Sequence, residues 1–169
     1  MARILIWVVF LIGGGIAGVI IDLRLFPEIF RNSVFHVVSI MLGVSLLMLV
    51  LRASKNTGRF LSRFGRKGTL PRMDTNILVT TGIYSCMRHP MHLGLLFFPL
   101  SVALIIGSPS FIFIISPAEM ILMIILIKLI EEPEAIKKFG NDYRDYKKKV
   151  PFFSFQSFCL RMLLENPGA

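Results

Sequence analysis

Four apolar stretches, residues 4–21, 34–51, 91–106 and 111–130, decide most of what this chain can fold into. A membrane-crossing helix needs about 17–25 mostly apolar residues, and each stretch meets or nearly meets that length. The remaining composition agrees: 54% of the 169 residues are hydrophobic and 17% are charged, against about 25% charged in a soluble domain. So apolar a chain is not disordered, and no heptads are sustained for a coiled coil. Two cysteines, Cys86 and Cys159, are too few for a disulfide scaffold. The composition predicts an all-α, polytopic membrane helix bundle, with about four transmembrane helices plus interfacial helices in a single membrane domain. Gly13, Gly14, Gly15 and Gly18 in the first stretch, and Gly43 and Ser45 in the second, are small enough for helices to approach closely. The turn Gly107-Ser108-Pro109-Ser110 is so short that the third and fourth stretches form an antiparallel hairpin. The first stretch has no A-x-A site, so it reads as a span rather than a cleaved leader.

Charge sets the orientation. Between the second and third stretches lie Arg52, Lys55, Arg59, Arg63, Arg66, Lys67, Arg72 and Arg88. After the fourth come Lys137, Lys138, Arg144, Lys147, Lys148, Lys149 and Arg161. The first connection holds only Arg24 and Arg31, offset by Asp22 and Glu28. Basic segments stay cytoplasmic, which predicts that both termini and the central loop face the cytoplasm. The formal charge of +9 then serves topology and attraction to anionic lipid heads, and no nucleic-acid motif accompanies it. Residues 59–67 interleave aromatics with bases, and the aromatic segment 152–158 with the run 160–164 is similarly amphipathic and too short to span. Both read as segments lying in the headgroup layer, the second as a cap over the bundle.

Three clusters on that side carry polar side chains suited to chemistry. Arg88-His89-Pro90-Met91-His92-Leu93-Gly94 opens the third stretch. Pro90 suits a first helical turn, and the helix mouth favours negative charge. Lys128, Glu131, Glu132, Pro133 and Glu134 follow the fourth stretch. A helix C-terminus disfavours acids, so the pair calls for compensation by Lys128, Arg88 or a cation. Phe139-Gly140-Asn141-Asp142-Tyr143-Arg144-Asp145-Tyr146 comes next. Tyr143 and Tyr146 share one helical face, and Gly140 reads as a helix stop. Glu119, at membrane depth beside Pro117, is expected in a local polar pocket. Cys86 reads as an unpaired residue in loop packing.

Taken in order, these clusters resemble the isoprenylcysteine carboxyl methyltransferase and phospholipid methyltransferase superfamily of integral membrane enzymes. The residues that carry the resemblance are Gly82 and Tyr84, Arg88-His89-Pro90, Gly94, Glu131-Glu132, Phe139-Gly140, Tyr143, Tyr146 and Val150-Pro151. They divide the chain into two spans and a basic loop (1–79), a methyltransferase core (80–152) and an interfacial tail (153–169). The resemblance implies S-adenosylmethionine as cofactor, held at the cytoplasmic helix ends, and a lipid or prenylated small molecule as substrate, with neither metal nor nucleic acid. It implies His89, Pro90, His92, Gly94, Glu131, Glu132, Tyr143 and Tyr146 as cofactor-binding residues, and Arg88 and Lys128 as the residues meeting the substrate or a carboxylate. His92 stands where the superfamily usually has Tyr, and Lys128 near a position that often carries Arg. Carboxylate, amine and thiol acceptors all stay open, with O-methylation of a prenylcysteine-type carboxylate and N-methylation of a lipid amine foremost. Two other readings also stay open: a reductase on a related membrane scaffold, and a non-catalytic membrane interaction protein.

Overall fold

In the computed structural model, residues 2–69 and 75–165 are described, with side chains from Trp7 onward. Arg72 of the basic loop, the Arg3 side chain and the last four residues of the tail lie outside the described residues. Every regular element among them is helical: α1 (Ala2–Leu25), α2 (Pro27–Phe30), α3 (Ser33–Phe64), α4 (Ile83–Cys86), α5 (Pro90–Leu96), α6 (Phe98–Ile106), α7 (Ser116–Leu126), α8 (Glu132–Lys149) and α9 (Ser157–Leu164). Three helical stretches are long and apolar enough to cross a membrane: Trp7–Leu25, Ser33–Phe64 and Phe111–Lys149. Pro90–Ile106 is a shorter apolar stretch, broken at Phe97. There Pro99 withholds the N–H that a continuous helix would donate to Leu95.

Two π-helical segments, Phe111–Ile115 and Ile127–Glu131, keep the last long helix unbroken. Each ends two residues before a proline, Pro117 or Pro133. A proline ring meets the carbonyl four residues back, and a widened turn relieves that clash. Glu131 and Glu132 therefore sit mid-helix, not at the predicted C-terminus, and the expected conflict with the helix dipole does not arise.

The chain forms two compact units, Met1–Met48 with Leu96–Ile125, and Leu49–Leu95 with Leu126–Ala169. In the first, small residues bring backbones together, as their placement predicts. A Cβ on Gly18 would lie 2.7 Å from Ser108 Oγ, and one on Gly43 would lie 2.8 Å from the Ile105 nitrogen. The Ser39 hydroxyl donates to the Leu104 carbonyl at 2.6 Å. Asp22 is fully buried. It accepts from the Ser108 hydroxyl and, at 2.8 Å, from the Ser110 N–H. A carboxylate thus tops the start of the following helix, where negative charge is favoured. Outward-facing apolar side chains such as Val34, Met41 and Phe113 are exposed, as membrane spans require. Glu119 is buried against the Gly14 backbone. Both of its carboxylate oxygens lack a hydrogen-bond partner among the described residues, so the predicted polar pocket is not there.

The second unit departs more from the sequence reading. The first half of the basic loop is helix, because α3 runs on to Phe64. Arg52, Ala53, Lys55, Arg59, Leu61 and Arg63 favour helix, the helix runs through Gly58, and it ends before Gly65. The Arg52 Nε and the Asn56 amide donate to the Leu164 carbonyl at 2.7 and 2.8 Å, which docks the end of α9. Cys86 and Cys159 are joined by a disulfide across 73 residues. This corrects the reading of Cys86 as unpaired: α4 and α9 pack together, and spacing along the chain cannot reveal that.

Candidate functional site

The site lies within the second unit and begins with a tight turn. Gly82 has φ +59°, and the Phe60 ring occupies the space a side chain would need. This turn starts α4 and places Tyr84, whose carbonyl accepts the Tyr146 hydroxyl at 2.5 Å. Pro90 is the first residue of α5 and is fully buried. Gly94 lets α5 approach α3, where an added Cβ would sit 3.1 Å from the Ala53 Cβ. Gly140 breaks α8 with φ +60°, at the stop read from the sequence. The kink leaves Tyr143 and Tyr146 buried, with ring centroids 6.0 Å apart.

Arg88 is the keystone. Its Nη2 and Nε donate to Glu132 Oε1 at 2.7 and 3.1 Å. Its Nη1 donates to the carbonyls of Val150 and Lys147 at 2.8 and 3.0 Å. Its backbone N–H donates to Pro151 O at 2.9 Å, and the His89 N–H reaches Phe152 O at 3.4 Å. The Lys147 ammonium holds Glu132 Oε2 at 2.5 Å. Glu132, only 4% exposed, thus carries two cationic partners. An unpaired buried carboxylate would be costly, so the lock explains how one is tolerated here.

Glu131 points elsewhere. It lies 3.1 Å from His92 Nε2, and its side chain is 32% exposed. His89 packs against His92 and against Phe152, with centroids 5.6 and 4.7 Å away. Burial pushes the His89 imidazole down to about 4, aided by the neighbouring His92, so the ring is neutral at pH 7. Glu131, His89, Arg88, Tyr84, Tyr143 and Tyr146 share the wall of one pocket. The Tyr143 hydroxyl is buried there with the Arg88 guanidinium near it, yet it has no well-formed hydrogen bond among the described residues. A buried polar atom without a partner is uncommon in a folded protein.

The sequence-derived residues therefore converge, with a division of labour that the sequence did not show. Glu131, His89, Tyr143 and Tyr146 line the pocket, and His92 holds Glu131. Arg88 and Glu132 are spent on each other and on the backbone. Lys128 does not pair with the glutamates. Its ammonium lies 5.5 Å from the Phe152 ring centroid, and no ion pair involves it among the described residues. Lys147 and Phe152 were missed by the sequence reading. Lys147 was counted as one of a basic run, and its link to Glu132 spans the Gly140 kink. Phe152 was read as part of an interfacial segment.

A membrane-embedded helical protein with a charge-locked, aromatic-walled pocket is the class that this fold and site define. The chain belongs to the phospholipid methyltransferase family, whose profile matches residues 32–142. It is 29% identical over 146 residues to the protein-S-isoprenylcysteine O-methyltransferase of Schizosaccharomyces pombe, a match covering 82% of this chain and 58% of that protein. It is 37% identical over 79 residues to the Dictyostelium discoideum protein of the same name (47% of this chain, 33% of that one). Identity to the Homo sapiens protein of that name is 32% over 81 residues (47% and 28%). The chain thus spans less than two thirds of the length of these relatives. No solved structure matches it.

Proposed function

We propose that this protein is a membrane methyltransferase that uses S-adenosylmethionine to methylate the carboxylate of a prenylated or similarly lipidic acid. The observation that carries the reading is the juxtaposition of Glu131 with the orphaned Tyr143 hydroxyl in one aromatic-walled pocket beside Arg88-His89-Pro90. That donor set fits the cofactor: a carboxylate for its hydroxyl or ammonium groups, a phenol seeking a polar partner, and ring faces for adenine. When bound, S-adenosylmethionine supplies a methyl group activated on a sulfonium.

The chain's own residues bind and orient. Glu131, kept in place by His92, and Tyr143 hold polar groups of the cofactor. Tyr146, Tyr84 and the neutral His89 exclude water from the pocket. Arg88 and Glu132 are positioning residues that fix α5, α8 and the segment after α8 to one another. Lys128 favours an acid over an amine as acceptor, because an ammonium there attracts a carboxylate and repels a lipid ammonium. The relatives' printed name, an O-methyltransferase, supports the same choice. We place Pro90–Ile106 as a fourth span. The distribution of Lys and Arg then puts both termini and the pocket on the cytoplasmic side, open to a water-borne cofactor and a bilayer-borne substrate.

The test is transfer of radiolabelled methyl from S-adenosylmethionine by the purified protein in detergent, offered a prenylated cysteine and phosphatidylethanolamine separately. The expected result is label on the prenylated acid that mild alkali releases, as a methyl ester requires. Alkali-stable label on the amine lipid would overturn the choice of acceptor. Absence of transfer and of cofactor binding would overturn the enzyme reading.

A further inference from the structure

The segment 150–156 runs past the Arg88-His89 corner of the pocket wall without helical structure. Its carbonyls at Val150, Pro151 and Phe152 receive the Arg88 side chain, the Arg88 N–H and the His89 N–H. The Phe152 ring lies on His89 and within reach of Lys128 and Arg88. Beyond it, α9 is held at its far end by Arg52 and Asn56. At its near end it is held by the bond from Cys159 to Cys86. Cys86 stands two residues before Arg88, and Cys159 seven after Phe152. The two sulfurs therefore tie both sides of the strap where it meets the Arg88-His89 corner.

We propose that Cys86 and Cys159 are a reversible redox site, a thiol pair whose closure to a disulfide latches the 150–156 strap against the Arg88-His89 corner of the pocket wall. This rests on the proposed orientation. On the side of the basic segments, thiols are kept reduced, and a bond forms there only under oxidation. Burial assigns the order of reaction. Cys86 is partly exposed and Cys159 is 3% exposed, so an oxidant reaches Cys86 first. With a glutathione-type disulfide as oxidant, Cys86 loses its proton to solvent and its thiolate attacks one sulfur, forming a mixed disulfide and releasing one thiol. Cys159, likewise deprotonated, then attacks the Cys86 sulfur and releases the second. Two protein thiols lose two electrons in all, and one small disulfide becomes two thiols. Reduced, α9 loses its covalent tie and keeps its Arg52 and Asn56 hydrogen bonds and the packing of buried Leu163, and the strap opens more often.

The test uses the full chain in detergent, equilibrated in mixtures of reduced and oxidised glutathione. Mass spectrometry follows the pair and hydrogen exchange follows residues 150–158. The expected result is a reversible loss of two hydrogens, about 2 Da, without change in helical content. Exchange across 150–158 should slow by about tenfold or more on oxidation in the native sequence, and stay insensitive to oxidant in Cys86→Ser and Cys159→Ser. Two results would overturn the proposal: a pair that resists reduction until the protein unfolds, or exchange that is the same in both redox states of the native sequence. Neither readout involves methyl transfer, so failure of this proposal is distinct from failure of the enzymatic reading.

Discussion

The two units of the chain solve the burial of polar groups in opposite ways. The unit formed by Met1–Met48 and Leu96–Ile125 avoids the problem almost everywhere. It packs backbone on backbone at Gly18 and Gly43 and holds few polar side chains: Asp22 in a knot with Ser108 and Ser110, Ser39 on the Leu104 carbonyl, and Glu119, whose carboxylate is buried without a hydrogen-bond partner among the described residues. The unit formed by Leu49–Leu95 and Leu126–Ala169 concentrates it. Arg88, Glu132 and Lys147 are bound in one lock, and a half-buried His92–Glu131 pair lies beside it. The lesson is that a buried charge network here frames a pocket rather than replacing a hydrophobic core. The network uses up Arg88 and Glu132, while Glu131, paired with His92, and Tyr143 line the pocket wall.

The largest expected effect follows from breaking the lock. Arg88→Met leaves Glu132 buried beside a single, half-exposed lysine, and should cost about 3–5 kcal/mol of stability by unfolding in detergent. If it costs no more than Asp22→Ala, the contrast between the units fails. The next effect is set by pH. His89 is held neutral with a pKa of about 4, against about 6.5 in an unfolded chain. The unfolded chain therefore takes up the proton first as pH falls. The contribution of a neutral His89 is fully present above pH 6.5 and is lost progressively toward pH 4, reaching about 3 kcal/mol. Melting temperatures between pH 7.5 and 4.5 should show that decline, and His89→Gln should flatten it.

Smaller effects sharpen the comparison from the apolar side. Gly43→Val pushes a side chain into the Ile105 backbone and should cost about 1–3 kcal/mol. Asp22→Ala leaves the Ser110 N–H unpaired and should cost about the same. Both should leave cofactor affinity of the folded protein unchanged in direct titration. Lys128→Gln is the smallest in stability, within about 0.5 kcal/mol. It should nevertheless raise KM for an acidic substrate by about tenfold, the worth of one charge-assisted hydrogen bond.

Much of the first unit was legible in the sequence, because hydropathy, small residues and the 107–110 turn are local signals. The break at Gly140 and the helical start at Pro90 were legible for the same reason, since each is a backbone requirement of one residue, whereas the turn at Gly82 was not read from the sequence. What was not legible depends on contact between distant segments. Asp22 looked like a charge offsetting Arg24 and is instead buried under Ser108. Glu131 and Glu132 looked like equal partners, yet adjacent helical positions point about 100° apart, so Glu131 lies on the pocket wall beside His92 and Glu132 is held by Arg88 and Lys147. Lys147 reaches Glu132 only because α8 kinks, and Cys86 meets Cys159 only because α9 returns to α4.

The most direct test of the account is calorimetric titration of S-adenosylmethionine into the native protein, Tyr143→Phe and Glu131→Gln, each with its melting temperature. The account predicts saturable binding to the native protein. It predicts affinity about five- to tenfold weaker in Tyr143→Phe with no loss of melting temperature, as expected for one hydrogen bond worth about 1–1.5 kcal/mol, and a larger loss in Glu131→Gln. Saturable binding of equal strength in all three proteins, or no binding to any, would contradict it.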